Sequence, residues 1–188
     1  MPRRTRRMLA AVTGAGAALA VAAPVAVAAP QDAAAAGRPA FKMPFRCGQT
    51  WVGSNWDGHS PLHSVDWNHY DANGTPDDFG RKVLASAYGT VVASYYSTTT
   101  GYGNTIVIQH KNGWQTRYAH LSARLVGTGA QVSRGQLIGK VGKSSAKYTI
   151  TPHLHYEQIL NGSTVVAVVQ GFAWKDFTKR GQISNNAC

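Results

Sequence analysis

Acidic side chains are scarce in this sequence: 8 Asp and Glu stand against 19 Lys and Arg and 7 His. Titratable chemistry here is therefore carried mainly by histidine. Cysteine is scarcer still. Only Cys47 and Cys188 are present, 141 positions apart, which excludes zinc-finger spacing and other sites built on neighbouring thiolates. No Gly-x-Ser-x-Gly nucleophile elbow, phosphate-binding loop or catalytic cysteine context occurs. Helical periodicity is almost missing beyond the first residues, and no tandem repeat interrupts the chain. Only the N-terminal stretch holds a long apolar run, so no later segment suits a bilayer span.

That N-terminal stretch has the order of a secretory signal. Arg3, Arg4, Arg6 and Arg7 precede an Ala, Val and Leu-rich run, which closes in small residues around Ala26-Val27-Ala28. The predicted organisation is a signal peptide over 1–28, a flexible leader over 29–45 and one domain over 46–188. Removing the four signal-peptide arginines leaves 15 basic against 8 acidic residues, a net charge of +7. Such a chain can be drawn to polyanions, an anionic lipid or wall polymer fitting export better than nucleic acid, for which no binding motif is present; general solubility is an equal reading of the same charge. Stable membrane insertion is not expected, and a monomer is. In an exported chain the two cysteines are predicted to pair, tying the ends of the domain together.

From Lys82 onward, short β-type runs alternate with Gly and Asn punctuation. Examples are Thr90–Tyr95, Asn104–His110, Trp114–Ala119, Gln136–Val141 and His153–Ile159. Asn112-Gly113 and Asn161-Gly162 separate such runs, and Asn-Gly is a strong hairpin signal because both turn positions can require positive φ. Seven or eight strands in an all-β, mostly antiparallel single domain are predicted. Residues 48–81 differ, being polar and loop-like with Trp51, Trp56 and Trp67, and suit a substrate-facing surface, although any single one of these aromatics is better read as a core-edge residue.

His153-Leu154-His155 is the sharpest local signal. Two residues apart on a strand share a face, so both imidazoles project into one cleft. Three blocks together resemble the lysostaphin/LytM-type metallopeptidases. They are Gly58-His59-Ser60-Pro61 leading to Ser64-Val65-Asp66-Trp67-Asn68, then Tyr118-Ala119-His120-Leu121-Ser122, then Thr151 to Glu157 with the two histidines inside. The segment Gly135–Gly142 resembles the family's lipoyl-type hairpin.

The resemblance implies an antiparallel β domain with an open substrate groove, one Zn2+ ion, and hydrolysis of peptide cross-links or bridges in bacterial peptidoglycan. It implies zinc on His59, Asp66 and His155, with His120 and His153 in catalysis; Tyr118 is read beside them as a substrate-binding donor, with a core or groove-wall tyrosine as the alternative. Two imidazoles and a carboxylate leave a fourth position open, the pattern of a catalytic site. The first block departs from the family's usual four-residue spacing: His59 lies seven before Asp66 and His63 lies three before it. His59 is favoured and His63 is the reserve. His69 and His110 lack partners at useful spacing, Asp57, Asp71, Asp77 and Asp78 suit solvated turns, and Glu157 suits a surface strand carboxylate more than a group orienting a histidine. The alternative is an inactive wall-binding or regulatory module of the same fold. A lipoyl-like carrier with Lys140 or Lys143 modified fits the export signal and the histidine set less well.

Overall fold

A computed structural model describes residues 37–56 and 58–188; the segment read as a signal peptide lies outside them. Fourteen strands form among the described residues, more than predicted because the run 164–168 splits in two and further short strands form where none was read, two of them inside residues 48–81. They are β1 (Thr50–Ser54), β2 (Val65–Asn68), β3 (Lys82–Leu84), β4 (Gly89–Ser97), β5 (Gly103–Gln109), β6 (Trp114–Ala119) and β7 (Ala123–Arg124). Then follow β8 (Gln131–Val132), β9 (Leu137–Lys140), β10 (Leu154–Leu160), β11 (Ser163–Val165), β12 (Ala167–Val169), β13 (Phe172–Trp174) and β14 (Lys179–Ile183). Every pairing among the described residues is antiparallel. The main sheet runs β14-β1-β2-β10-β6-β5-β4-β8, with β11 on β10, and it stays open. A second sheet, β3-β9-β7, carries the lipoyl-type hairpin segment. No helix of the described residues is long and apolar enough to cross a membrane.

The Asn-Gly signals act as predicted. Asn112 and Gly113 take φ of 56° and 75°, and Asn161 and Gly162 take 49° and 86°. The second pair forms a two-residue turn between Leu160 and Ser163, which face each other across the β10–β11 ladder. Left-handed backbone costs Asn little and Gly nothing, so these positions turn the chain back without strain.

Strand alternation divides β10 into two faces. Leu154 and Tyr156 point into the core, opposite Trp67 and Val65 of β2, and Tyr156 also faces Tyr118 of β6. His155 and Glu157 point the other way, opposite Asp66 on one side and Ala119 and Arg117 on the other. The core is built largely of aromatics: Trp51, Trp67, Trp174, Tyr118 and Tyr156 are fully buried in one cluster. Trp51 and Trp67, from the region read as loop and surface, thus lie on β1 and β2 and support the sheet. Gly53 lets them close, since a Cβ there would stand 2.6 Å from the Trp174 ring and 2.9 Å from that of Trp67.

The predicted flexible leader is overturned from residue 41 onward. Phe41, Met43 and Phe45 are buried, the Lys42 N–H donates to Ser86 O at 2.9 Å, and Phe45 stacks on Trp51. An alternating Phe-x-Met-x-Phe run has a full apolar face to bury, and the Ala-rich residues before it do not. The Cys47–Cys188 disulfide forms, with Cα atoms 5.1 Å apart.

Candidate metal centre and active site

Asp66 sits at the middle of the site. Its ladder position opposite His155 follows from the β2–β10 register, so the two side chains meet on the same face. His155 Nδ1 lies 3.0 Å from Asp66 Oδ1, and His59 Nε2 lies 3.2 Å from the same oxygen. His59 arrives from the loop before β2, where the seven-residue spacing to Asp66 is taken up by a bend. The His59 N–H donates to Trp56 O at 3.1 Å, the Trp56 ring stacks on the imidazole with centroids 4.1 Å apart, and Asn55 Nδ2 donates to Ser64 O at 2.6 Å. His63 is turned away in left-handed backbone, φ 70°, and pairs with Asp176 at 2.9 Å. Geometry therefore favours His59 over His63.

The donor set suits a metal. One atom each from His59, Asp66 and His155, all buried, lie within 4.8 Å of one another. Ligands about 2 Å from a tetrahedral zinc sit about 3.3 Å apart, close to the two shorter separations here. Each imidazole also has its other nitrogen engaged, which holds the ring: His59 Nδ1 on Ser64 O at 3.2 Å, and His155 Nε2 on Glu157 Oε1 at 3.1 Å. Ligating histidines are held in this way in metal sites generally.

Charge follows the same arrangement. Burial would raise the Asp66 carboxyl, but hydrogen bonds from His155 and His59 outweigh it and hold the group well below the usual carboxylate range. Burial likewise opposes charge on His155, yet Asp66 and Glu157 on its two sides lift it to about 9. His120 behaves in the opposite sense: burial, with His153 and His155 nearby, lowers it to about 4.

His120 and His153 converge on this centre from two other elements. His120 follows β6 in left-handed backbone, φ 62°, its N–H donating to Tyr102 O at 2.9 Å and its Nδ1 to Ser144 O at 3.0 Å. His153 is bridged to Gly142 and donates from Nδ1 to Thr151 O at 2.9 Å. A carbonyl can only accept, so each Nδ1 carries the proton and each Nε2 keeps a lone pair. The two rings are 4.8 Å apart, and His153 Nε2 is 3.6 Å from Asp66 Oδ2.

The profile of peptidase family M23 matches residues 73–167, about half the chain. The chain belongs to that family. The matched span contains His120, His153 and His155, whereas His59 and Asp66 lie upstream and owe their place in the site to the β1–β2 fold. The peptidoglycan DD-endopeptidase ShyA of Vibrio cholerae is 42% identical over 121 residues, 62% of this chain and 26% of that protein. The DD-carboxypeptidase/endopeptidase Mpg of Neisseria meningitidis is 43% identical over 86 residues, 46% of this chain and 19% of its own length. The chain thus matches about a quarter or less of these relatives' lengths. Among solved structures, a zinc containing peptidase from Vibrio cholerae aligns at 26% identity with a TM-score of 0.51, over 68% of this chain and 39% of that one. The M23 metalloprotease pseudoalterin aligns at 20% identity and TM-score 0.54, over 72% and 80%, a likeness of fold alone.

Within this M23 domain, the Tyr118 expectation is corrected. Its side chain is fully buried, and its hydroxyl accepts from the Ser86 N–H at 2.9 Å and from Thr116 Oγ1 at 3.0 Å. It shares the core face with Tyr156, because it is directly next to Ala119, which lies on the site face. The tyrosine at the site is Tyr102, whose ring lies 5.5 Å from that of His155. Nothing in the sequence around Tyr102 marks it, since the turn between β4 and β5 brings it in. Glu157 is also corrected: it is fully buried, not a surface carboxylate. Its period-2 spacing from His155 was the signal that could have placed it. Asp78 is buried too, accepting from Asn68 Nδ2 at 2.9 Å. His69 pairs with Asp77, and His110 bonds Tyr88 O and Thr116, so neither joins the centre.

Proposed function

We propose that this chain is an exported, wall-associated zinc metalloendopeptidase that hydrolyses peptide cross-links or bridges in bacterial peptidoglycan. The observation carrying this reading is the convergence of His59, Asp66 and His155 on one point, with His120 and His153 beside it. Family membership and the wall endopeptidases among the relatives support the substrate class. Zinc held by the three would supply Lewis acidity toward the scissile carbonyl and ease deprotonation of the attacking water.

The chain's own groups handle the proton. His120, neutral above about pH 4, is the base of the pair and presents Nε2 to the water. His153, 4.8 Å away, lies where that proton can be returned to the leaving amine. Ser144 O and Thr151 O keep both rings from turning. The basic charge, +7 once residues 1–28 are removed, supports attraction to anionic wall polymers.

The test is clearing of purified peptidoglycan by the protein with its N-terminal 28 residues removed. Turbidity and new free amines are followed with and without chelator, and after zinc is restored. Zinc-dependent clearing with release of amines is expected. Folded protein that neither holds zinc nor releases amines from any cross-link type would leave a wall-binding role as the better account.

A further inference from the structure

A ligating histidine presents one nitrogen to the metal, and the partner of its other nitrogen decides which one and how firmly. At His155 that partner is Glu157, a carboxylate with no solvent exposure. Glu157 is itself held on every side. The Tyr102 hydroxyl donates to Oε1 at 2.6 Å, Arg117 Nη1 donates to Oε1 and Oε2 at 3.0 and 2.9 Å, and Thr164 Oγ1 donates to Oε2 at 3.2 Å. Arg117 Nη1 also donates to the Tyr102 hydroxyl at 2.8 Å, and its guanidinium lies over the tyrosine ring.

Stability alone does not account for this cluster. A buried ion pair usually gains little over apolar side chains of the same volume, because desolvation cancels most of the attraction. Position is what the cluster decides. The Tyr102 hydroxyl proton is committed to Glu157, so it is not offered to a substrate oxyanion. The same residue's backbone carbonyl accepts the His120 N–H at 2.9 Å.

We infer that Glu157, clamped by Arg117 and Tyr102, is a positioning residue that fixes His155 with Nδ1 toward the metal. Tyr102 ties this ligand mechanically to His120. The inference rests on the metal-site reading above and adds three residues to the machinery, none of which need touch substrate.

The experiment measures zinc affinity by competition with a chromophoric chelator, the visible spectrum of the cobalt-loaded protein, and melting of the metal-free protein. Glu157→Gln keeps an oxygen for the Nε2–H and removes the charge. The double variant Arg117→Met with Glu157→Leu removes the acceptor and leaves no buried charge unpaired. Zinc affinity is expected to fall about 10- to 100-fold in the double variant, the usual range for loss of such a partner. Glu157→Gln should lie between it and the parent, cobalt spectra should shift in the same order, and metal-free melting should stay close to the parent. Parent-like affinity and spectra in both folded variants would overturn the inference while leaving the zinc site itself intact. A parent that binds no zinc would instead remove the underlying reading, and the inference with it. Should the double variant not fold, Glu157→Gln and Tyr102→Phe decide on the same scale, unweakened zinc binding in both again overturning it.

Discussion

At His155 the two ring nitrogens face different carboxylates, and the imidazole holds its proton up to about pH 9 in the metal-free protein. A raised value means the proton is present below 9 and competes with any metal. Zinc affinity should therefore rise about tenfold per pH unit toward pH 9 and level off beyond it. Calorimetric titration in buffers of different ionisation enthalpy at pH 7 and pH 8 checks this, and affinity independent of pH with no proton release would contradict it. The same shift makes the paired His155 stabilise the metal-free fold fully below about pH 6.5, with that contribution lost as pH rises through 9. The two candidate histidines of the first block separate equally sharply. His59→Ala should abolish stoichiometric zinc, while His63→Ala, which loses only its contact with Asp176, should keep zinc and at least half the activity. Both are read from metal content and amine release. Sequence spacing disfavoured His63, since side chains three apart on a strand face opposite ways, but kept it as the reserve to His59. Only the turn at His63, φ 70°, removes it.

At the scale of elements, most of the site was legible as strands. Period-2 alternation correctly sends His153 and His155 toward one partner, Asp66, and two Asn-Gly pairs close hairpins as predicted. The same alternation defeats the reading of Tyr118, which is one residue out of phase with the site and so belongs to the core. His120 is brought back to the site by leaving the strand in left-handed backbone, an event that the Tyr-x-His spacing does not announce. Its position depends on Ser144, whose carbonyl lies against Gly103: a Cβ there would stand 2.3 Å from that oxygen, at a φ of +59°. Gly103→Ala should therefore displace Ser144 and His120 together. Misplacement by about 1 Å commonly costs on the order of 100-fold in rate. The expected result is a loss of that size in kcat with a smaller fall in zinc affinity, since the neighbouring Tyr102 holds Glu157 behind His155. A variant with full kcat would show that His120 does not rely on Ser144.

At the scale of the whole molecule, Cys188 is joined to the segment that leads into β1. Cys47 bonds Cys188, the Cys47 N–H donates to Asn186 O, and β14 completes the sheet against β1, next to β2 and its Asp66. Replacing both cysteines by serine should lower stability by about 2–5 kcal/mol. For a domain of this size that is about 2–4 °C of melting temperature per kcal/mol. Zinc content at low temperature should be unchanged, because no ligand lies on the bridged segments, and a loss of zinc from folded protein would contradict that separation. The sequence by itself determined the β class, the antiparallel hairpins, the pairing of the two cysteines and the histidine-rich blocks, because periodicity, turn chemistry and residue type are local properties. It did not reveal that residues 41–45 belong to the core, which strands carry Trp51 and Trp67, or that Glu157 is buried behind His155. Those facts depend on which strand lies beside which. The β2–β10–β6 register sets Asp66, His155 and Arg117 on one face, and only the tertiary structure fixes that register.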